Sequence, residues 1–222
     1  TVPAVLTGRP DAVELQGACP QHGAWHTPVW SGPPSFDTWC EGACTAPARQ
    51  TCTVLVEVTQ RCDLGCPICF AESGPGAERS DPSVTRLKML FQDLFQAEGA
   101  VNLQLSGGEP TMREDLVEVV EAAREAGFTF VQLNTNGIRL AAEDGYAEHL
   151  RDAGLASVFL QFDGIDDRTY TVLRGRPLSD VKMRTLERCA QAGLAVVLVP
   201  TLVAGVNDTE VGDLVRLAAS WP

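Results

Sequence analysis

The chain has 222 residues, 45% of them apolar, and a formal net charge of −12. That length holds one sizeable domain plus a small extension, and that apolar share argues against global disorder. The acidic balance reads as a solvated surface and argues against a nucleic-acid partner or anionic head groups, both of which need a basic face. No apolar run reaches the ~18–20 residues of a membrane helix; the longest, Leu194 to Val206, is interrupted by Pro200 and Gly205. No secretory signal is visible. The chain starts at Thr1 without Met, which suggests a trimmed protein or a fragment. Eight cysteines in clustered motifs, without such a signal, predict metal binding in a reducing cytoplasm rather than disulfides.

Residues 1–52 form a separate extension: Pro-rich, with three of the four Trp and no clear periodicity. They carry Cys19, Cys40, Cys44 and Cys52. Cys19-Pro20-Gln21-His22 reads as half of a small metal ribbon, and Cys40-x3-Cys44 as the start of a cluster loop. Four thiolates could close one tetrahedral zinc or one auxiliary iron–sulfur cluster, with His22 or His26 able to replace one of them. Disulfides or buried free thiols are the plainer alternative.

From residue 53 onward strand and helix signals alternate, and residues 53–222 are expected to form one domain. A Val-rich strand at 53–59 leads into Arg61-Cys62-Asp63-Leu64-Gly65-Cys66-Pro67-Ile68-Cys69-Phe70. Thiolates at C-x3-C-x2-C spacing can wrap one metal centre, and the spacing alone fits zinc as well as iron–sulfur. Three ligands on one loop leave one iron of a four-iron cluster free for another partner. A helix is predicted at 82–98, with Asp81 as N-cap and Gly99 as its end. A strand at 101–105 leads into Ser106-Gly107-Gly108-Glu109-Pro110-Thr111, and Thr111 with Glu114 reads as the capping box of the next helix.

A strand at 128–133 precedes the turn-rich Asn134-Thr135-Asn136-Gly137, and a helix is predicted at 141–153. A strand at 157–162 ends on Asp163-Gly164, followed by a helix at 179–192 and a strand at 195–202. Asn207 and Glu210 form a second capping-box signature before a helix at 208–219. Cys189 stands alone on an apolar helix face and reads as a core residue. Strands separated by such helices imply an α/β fold with parallel pairing. Five βα units fall short of a closed eight-stranded barrel. The polar motifs gather at the C-terminal strand ends, where such folds carry their chemistry.

The cysteine loop after the first strand and Gly107-Gly108-Glu109 after the second resemble the two marks of the radical S-adenosylmethionine (SAM) superfamily, over about residues 53–220. The resemblance implies an open, partial β/α barrel, usually of six units, so that the chain looks truncated or its sixth strand lies beyond Pro222. It implies a [4Fe–4S] cluster on Cys62, Cys66 and Cys69, with SAM on the fourth iron through its amino and carboxylate groups. Reduction would then cleave SAM to a 5′-deoxyadenosyl radical that abstracts a hydrogen atom. Glu109 would hold the SAM amino group, Arg174 would lie near its carboxylate, and Phe70 would belong to the cofactor-binding loop. Most members carry an aromatic residue where this chain has Ile68, which can still pack on an adenine ring.

For the remaining candidates a functional reading stands beside a plain one. Gly107 and Gly108 permit close approach of backbone to ligand, or simply make a strand-exit turn. Asn134, Thr135 and Asn136 could bond the SAM ribose or carboxylate, or serve turn chemistry. Asp163 faces the site or starts an Asp–Gly turn, and Arg174 could equally make an exposed ion pair. Thr201 and Asn207 are weaker candidates, Asn207 reading mainly as a helix cap.

The Cys-Pro-x-His-Gly segment, Thr51-Cys52, the Cys62–Ala71 run, Leu133–Leu140 and Leu160–Gly164 resemble one subgroup, the archaeal tetraether lipid synthases and dihydropterin-methylating enzymes. Its members bind additional metal centres; here Pro47 stands where a further loop cysteine is expected, and Cys19 lacks its usual ribbon partners. The resemblance implies carbon–carbon bond formation, by methyl transfer or alkyl-chain coupling, on a small-molecule or lipid substrate. It also implies an electron donor such as ferredoxin or flavodoxin. A radical SAM peptide maturase and a non-enzymatic zinc module are the alternatives.

Overall fold

Two units, Thr1–Gln50 and Thr51–Pro222, divide the computed structural model. It describes residues 4–41, 51–69, 71, 73–74 and 80–221, and of residues 39–41 the backbone alone. Cys44, Pro47, Phe70 and the side chain of Cys40 therefore lie outside the described residues.

In the first unit, β1 (Ala4–Arg9), β2 (Ala12–Cys19) and β3 (Gly23–Ser31) form an antiparallel meander, followed by the short α1 (Phe36–Glu41). Sequence reading found no periodicity here. The reason is physical: Val13 is the buried apolar residue of this sheet among the described residues, so no alternation of apolar and polar positions marks its strands. The register slips at Val13/Glu14, where Glu14 faces Pro28 and Val13 faces Trp30. Pro28 offers no N–H to the ladder, and a bulge beside it spares the sheet that bond. Trp30 Nε1 donates to the Pro34 carbonyl at 2.8 Å, and its ring meets Phe36 edge-on.

In the second unit the order is β4 (Thr53–Thr59), α2 (Val84–Glu98), β5 (Asn102–Gly107), a 3₁₀ turn at Pro110–Met112, α3 (Leu116–Glu125) and β6 (Val131–Thr135). It continues with α4 (Ile138–Ala142), α5 (Tyr146–Asp152), β7 (Ser157–Gln161), α6 (Asp167–Arg174), α7 (Ser179–Ala192), β8 (Ala195–Val199) and α8 (Val211–Ser220). The five strands pair in sequence order, all parallel, in an open sheet: the partial barrel expected from the sequence.

Strand period 2 sorts the side chains. Leu103, Leu105, Val131, Leu133, Val158 and Leu160 are fully buried in one core with Phe91, Val119, Val120, Leu186 and Cys189 from the helices. The intervening residues on β5–β7 are polar except Phe159: Gln104 donates to Gln132 at 3.4 Å, and Gln132 donates to the Ser157 hydroxyl at 2.9 Å. That face, unlike the filled interior of a closed barrel, opens at its C-terminal end into a cavity.

Several expected boundaries shift, each for a nameable reason. Ser83, not Asp81, caps α2 by accepting from the Arg86 N–H; Asp81 instead takes bonds from Thr59 and Arg61. The Thr111–Glu114 box does not form, because Thr111 is drawn to Glu109, and α3 starts at Leu116. The Asn207–Glu210 box fails likewise: both side chains are held by other segments, and α8 starts at Val211. The helix predicted at 141–153 is two helices, separated at Gly145 with φ 78°. Helix α6 was not anticipated; Asp166 caps it and Gly175 ends it at φ 78°. Pro200 stops β8 at Val199. No helix among the described residues is long and apolar enough to cross a membrane.

Candidate functional site

The loop bearing Cys62, Cys66 and Cys69 leaves β4 and is held by the exit of β5. Gly108 N–H donates to the Thr59 carbonyl and Glu109 N–H to the Arg61 carbonyl, both at 2.8 Å. A Cβ on Gly107 would stand 2.0 Å from the Thr59 oxygen, and one on Gly108 2.2 Å from the Arg61 oxygen. These positions need glycine because another strand's backbone lies on them, so the close approach foreseen for a ligand is made by the chain itself. Arg61 pairs with Asp81 through Nε at 3.1 Å and Nη2 at 2.5 Å. Burial pushes the Asp81 carboxyl up, but Arg61 and the Thr59 hydroxyl outweigh it and hold that carboxyl below its usual range. The buried Arg113 donates to the Val58 and Pro82 carbonyls, both at 2.9 Å, and braces the same strand end. Leu64 anchors the loop against Tyr170 and Leu178, with Cys62 and Cys66 packed beside it. Burial pushes the Cys62 thiol up to about 12.

Glu109 is buried at the end of β5. Its Oε1 accepts from the Thr111 N–H (3.0 Å), the Thr111 hydroxyl (2.7 Å) and the Thr135 hydroxyl (2.7 Å); Oε2 accepts from the Asn136 N–H at 2.6 Å. Burial pushes the carboxyl up against these donors. Having one donor, Oε2 keeps a lone pair for a further one. The Asn136 side chain ties the exit of β6 to the cysteine loop, donating to Asp63 at 2.7 Å. Asn134 Nδ2 donates to Ser106 at 3.3 Å, whereas its buried Oδ1 has no partner.

Asp163 and Arg174 form a buried bidentate pair, Nε to Oδ2 at 2.8 Å and Nη2 to Oδ1 at 2.7 Å. Arg174 also donates to the Thr201 hydroxyl at 2.9 Å and to the Ile68 carbonyl, between Cys66 and Cys69, at 3.2 Å. The exposed ion pair offered as an alternative for Arg174 is excluded by this burial. Asp163, fully buried, stands behind Arg174 and does not line the cavity, contrary to expectation. Asn207 is no cap: it is fully buried, and its Nδ2 donates to the Asp163 and Thr201 carbonyls at 2.7 and 2.9 Å.

Cys62, Cys66, Cys69, Ser106–Glu109, Asn134–Asn136, Arg174 and Thr201 line one cavity of about 340 Å³, with Leu64, Ile68, Phe159, Gln161 and Val199 as its other walls. Three thiols at one mouth, an orphaned acceptor on Asn134 and a spare lone pair on Glu109 suit a thiolate-bound cluster and a ligand carrying an ammonium or hydroxyls. Among the described residues no three His, Cys, Asp or Glu side chains meet at a single-ion site. A cuboidal cluster takes each thiolate on a different iron, so its cysteines need not converge on one point.

Sequence reading missed Lys182, which is fully buried behind the cavity. A signal existed: Lys182 shares the buried stripe of α7 with Leu186 and Cys189, at i, i+4 and i+7. In the first unit Cys19 Sγ lies 3.2 Å from His22 Nδ1. Cys52, assigned above to the extension, falls in the second unit, where its carbonyl accepts from Asn102 N–H at 3.1 Å.

The family model of the Radical SAM superfamily matches residues 56–218. The chain is 37% identical to the 7,8-dihydro-6-hydroxymethylpterin dimethyltransferase of Methanocaldococcus jannaschii, over 98% of this chain and 48% of that protein. It is 32% identical to a probable GTP 3′,8-cyclase of Archaeoglobus fulgidus, over 78% of this chain and 56% of that protein. It thus spans about half the length of the curated relatives it matches. Among solved structures, Streptococcus suis SuiB bound to S-adenosylmethionine superposes with TM-score 0.63 at 11% identity, covering 97% of this chain and 59% of that one. The protein anSMEcpe with bound AdoMet gives TM-score 0.61 at 18% identity, covering 75% and 49%. At these identities the likeness is one of fold.

Proposed function

The chain belongs to the radical SAM superfamily, and we propose that it forms a carbon–carbon bond by alkylating a fused nitrogen-heterocyclic ring of the pterin or purine type. The superfamily's cofactors are a [4Fe–4S] cluster and SAM. When bound, they supply an electron and a 5′-deoxyadenosyl radical that removes a hydrogen atom from an unreactive C–H bond.

The observation that carries this reading is the meeting of the cysteine loop and Gly107-Gly108-Glu109 at one cavity, with Gly108 and Glu109 bonded to the start of that loop. Cys62, Cys66 and Cys69 would hold the cluster, with one iron left open to SAM. Glu109 Oε2 would accept from the SAM ammonium through its spare lone pair, and Asn134 Oδ1 would accept from a ligand hydroxyl or ammonium. Arg174, fixed by Asp163, steadies the Ile68 carbonyl and lines the cavity, where it would meet the SAM carboxylate. Thr135 and Asn136 orient Glu109, and Gly107 and Gly108 seat the loop. Phe70 is included as a cofactor-loop residue on the resemblance alone.

The substrate class is supported by the two curated relatives, whose names specify a dihydropterin and GTP, both fused-ring nitrogen heterocycles. The apolar Phe159, Val199 and Ile68 beside the Gln161 amide suit a flat ring with polar edges. Alkyl-chain coupling on a lipid remains the second reading, favoured by those same apolar walls. The first unit is proposed as a metal-binding extension, through Cys19, Cys40 and Cys44 with His22 or His26, for zinc or an auxiliary iron–sulfur cluster; the Cys19–His22 approach supports it. A ferredoxin or flavodoxin as electron donor and a cytoplasmic location complete the proposal.

The test is 5′-deoxyadenosine formation by the full chain, reconstituted anaerobically with iron and sulfide and given dithionite, beside Cys66→Ala. Product that disappears in the variant, and rises with 7,8-dihydro-6-hydroxymethylpterin, supports the reading. No product from fully loaded protein overturns the chemistry. A rise with an unsaturated or alkyl lipid alone overturns the heterocycle.

A further inference from the structure

The ammonium of Lys182 is fully buried, an environment that is costly for a charge unless it is compensated. Two oxygens compensate it: the Asn136 carbonyl at 2.5 Å and Gln161 Oε1 at 3.3 Å; Nζ also stands 5.6 Å from the centroid of the Tyr170 ring. A residue that served packing alone would be apolar here, as Leu186 and Cys189 are on the same stripe of α7.

Both bonds reach the cavity at one remove. Asn136 is gripped at three atoms: its N–H by Glu109, its side-chain amide by Asp63 in the cysteine loop, and its carbonyl by Lys182. Fixing that carbonyl fixes the peptide into Gly137, which sits at φ 83° where a Cβ would stand 2.7 Å from Leu160. Gln161 is oriented by the same charge. An ammonium offers donors and no acceptor, so Oε1 must face it and the amide donors must face away, towards the cavity that Gln161 lines.

We propose that Lys182 is a positioning residue for the SAM site, its charge holding the Asn136 peptide and the Gln161 amide in the arrangement the ligand meets. This rests on the reading of the cavity as a SAM site. Lys182 makes no cavity wall itself and acts through its two partners. The titratable groups that act on it are Asp163 after β7, Glu109 after β5, Arg174 on α6 and Cys66 on the loop. Burial pushes Lys182 down to about 8, against the raising effect of Asp163 and Glu109.

The experiment measures SAM dissociation constants by equilibrium dialysis, from about pH 6.5 to about pH 9.5. It compares cluster-loaded wild type, Lys182→Met and Lys182→Arg, with iron per chain and far-UV circular dichroism as controls. The titration of SAM's own amino group is common to all three proteins. At about pH 7 the Met variant should bind roughly ten- to a hundredfold more weakly with iron content unchanged, as loss of a charged hydrogen-bond donor predicts. The wild type should lose additional affinity as pH rises through about 8, a step absent from the Arg variant, whose charge persists. A Met variant within about twofold of wild type overturns the inference. So does an Arg variant whose pH profile tracks the wild type, and this comparison decides alone if the Met variant does not fold. Loaded wild type that binds no SAM overturns the functional reading itself, and this inference with it.

Discussion

Replacing Asp163 by Leu should strand the Arg174 guanidinium in a site where that side chain is 5% exposed and its partner 0%. The variant loses both short bonds, at 2.8 and 2.7 Å, and also the acceptor of the Thr201 N–H at 3.0 Å. Breaking a buried pair from one side costs about 3–5 kcal/mol, because the remaining charge is uncompensated. Arg174→Met should cost a similar amount, leaving Asp163 with the Thr201 N–H as its one other donor among the described contacts. The double variant replaces the pair with apolar groups and should lose no more than either single one. Urea unfolding followed by far-UV circular dichroism checks this. With m of about 1–3 kcal/mol/M, each single variant should lower the midpoint by at least about 1 M. The coupling energy from the full cycle should reach about 3 kcal/mol or more. Single effects that add to within about 0.5 kcal/mol in the double variant would refute the reasoning.

Gly108→Ala must displace the Arg61 carbonyl, since its Cβ would stand 2.2 Å away; a loss of about 1–3 kcal/mol and fewer irons per chain are expected, by thermal melt and iron assay. Glu109→Gln turns one acceptor into a donor facing the Thr111, Thr135 or Asn136 donors; it should cost about 1–3 kcal/mol in urea and abolish measurable SAM binding. Asn207→Leu removes three bonds of a fully buried side chain, to Asp163, Thr201 and Val203, and should lower the urea midpoint by more than an exposed-site control such as Asp213→Asn. The Asp81 carboxyl is held below its ordinary range in the folded state, so its contribution is present above about pH 4 and is lost as pH falls through its folded value. Wild type should therefore lose stability between about pH 5 and about pH 2 more steeply than Asp81→Asn; equal slopes would contradict the Arg61–Asp81 account.

The strands of the second unit were legible because alternation and βα order are local properties of the chain. Thr53–Thr59 and Ser179–Ala192 lie where their patterns put them, and Gly99 and Gly193, both at positive φ, end their helices as expected. The cysteine spacing and the Gly107-Gly108-Glu109 motif were legible for the same reason, and they identify the family without a structure. The first unit was not legible, since a sheet with Val13 as its buried apolar residue leaves no periodic trace. The capping boxes at Thr111 and Asn207 failed because a short polar side chain takes whichever partner reaches it first: for Thr111 the Glu109 carboxylate two residues back, for Asn207 the Asp163 carbonyl 44 residues back. Glu109 is met by Thr135 and Asn136 from the next strand, Val58 by Arg113 from 55 residues away, and Asn136 by Lys182 from 46 residues away. The residue types that chemistry would require, and the strand ends that carry them, are written in the local pattern. Which of them faces the cavity, which stands behind it like Asp163, and which buried charge balances another depend on strand ends brought together from across the chain; the assembled sheet alone decides that.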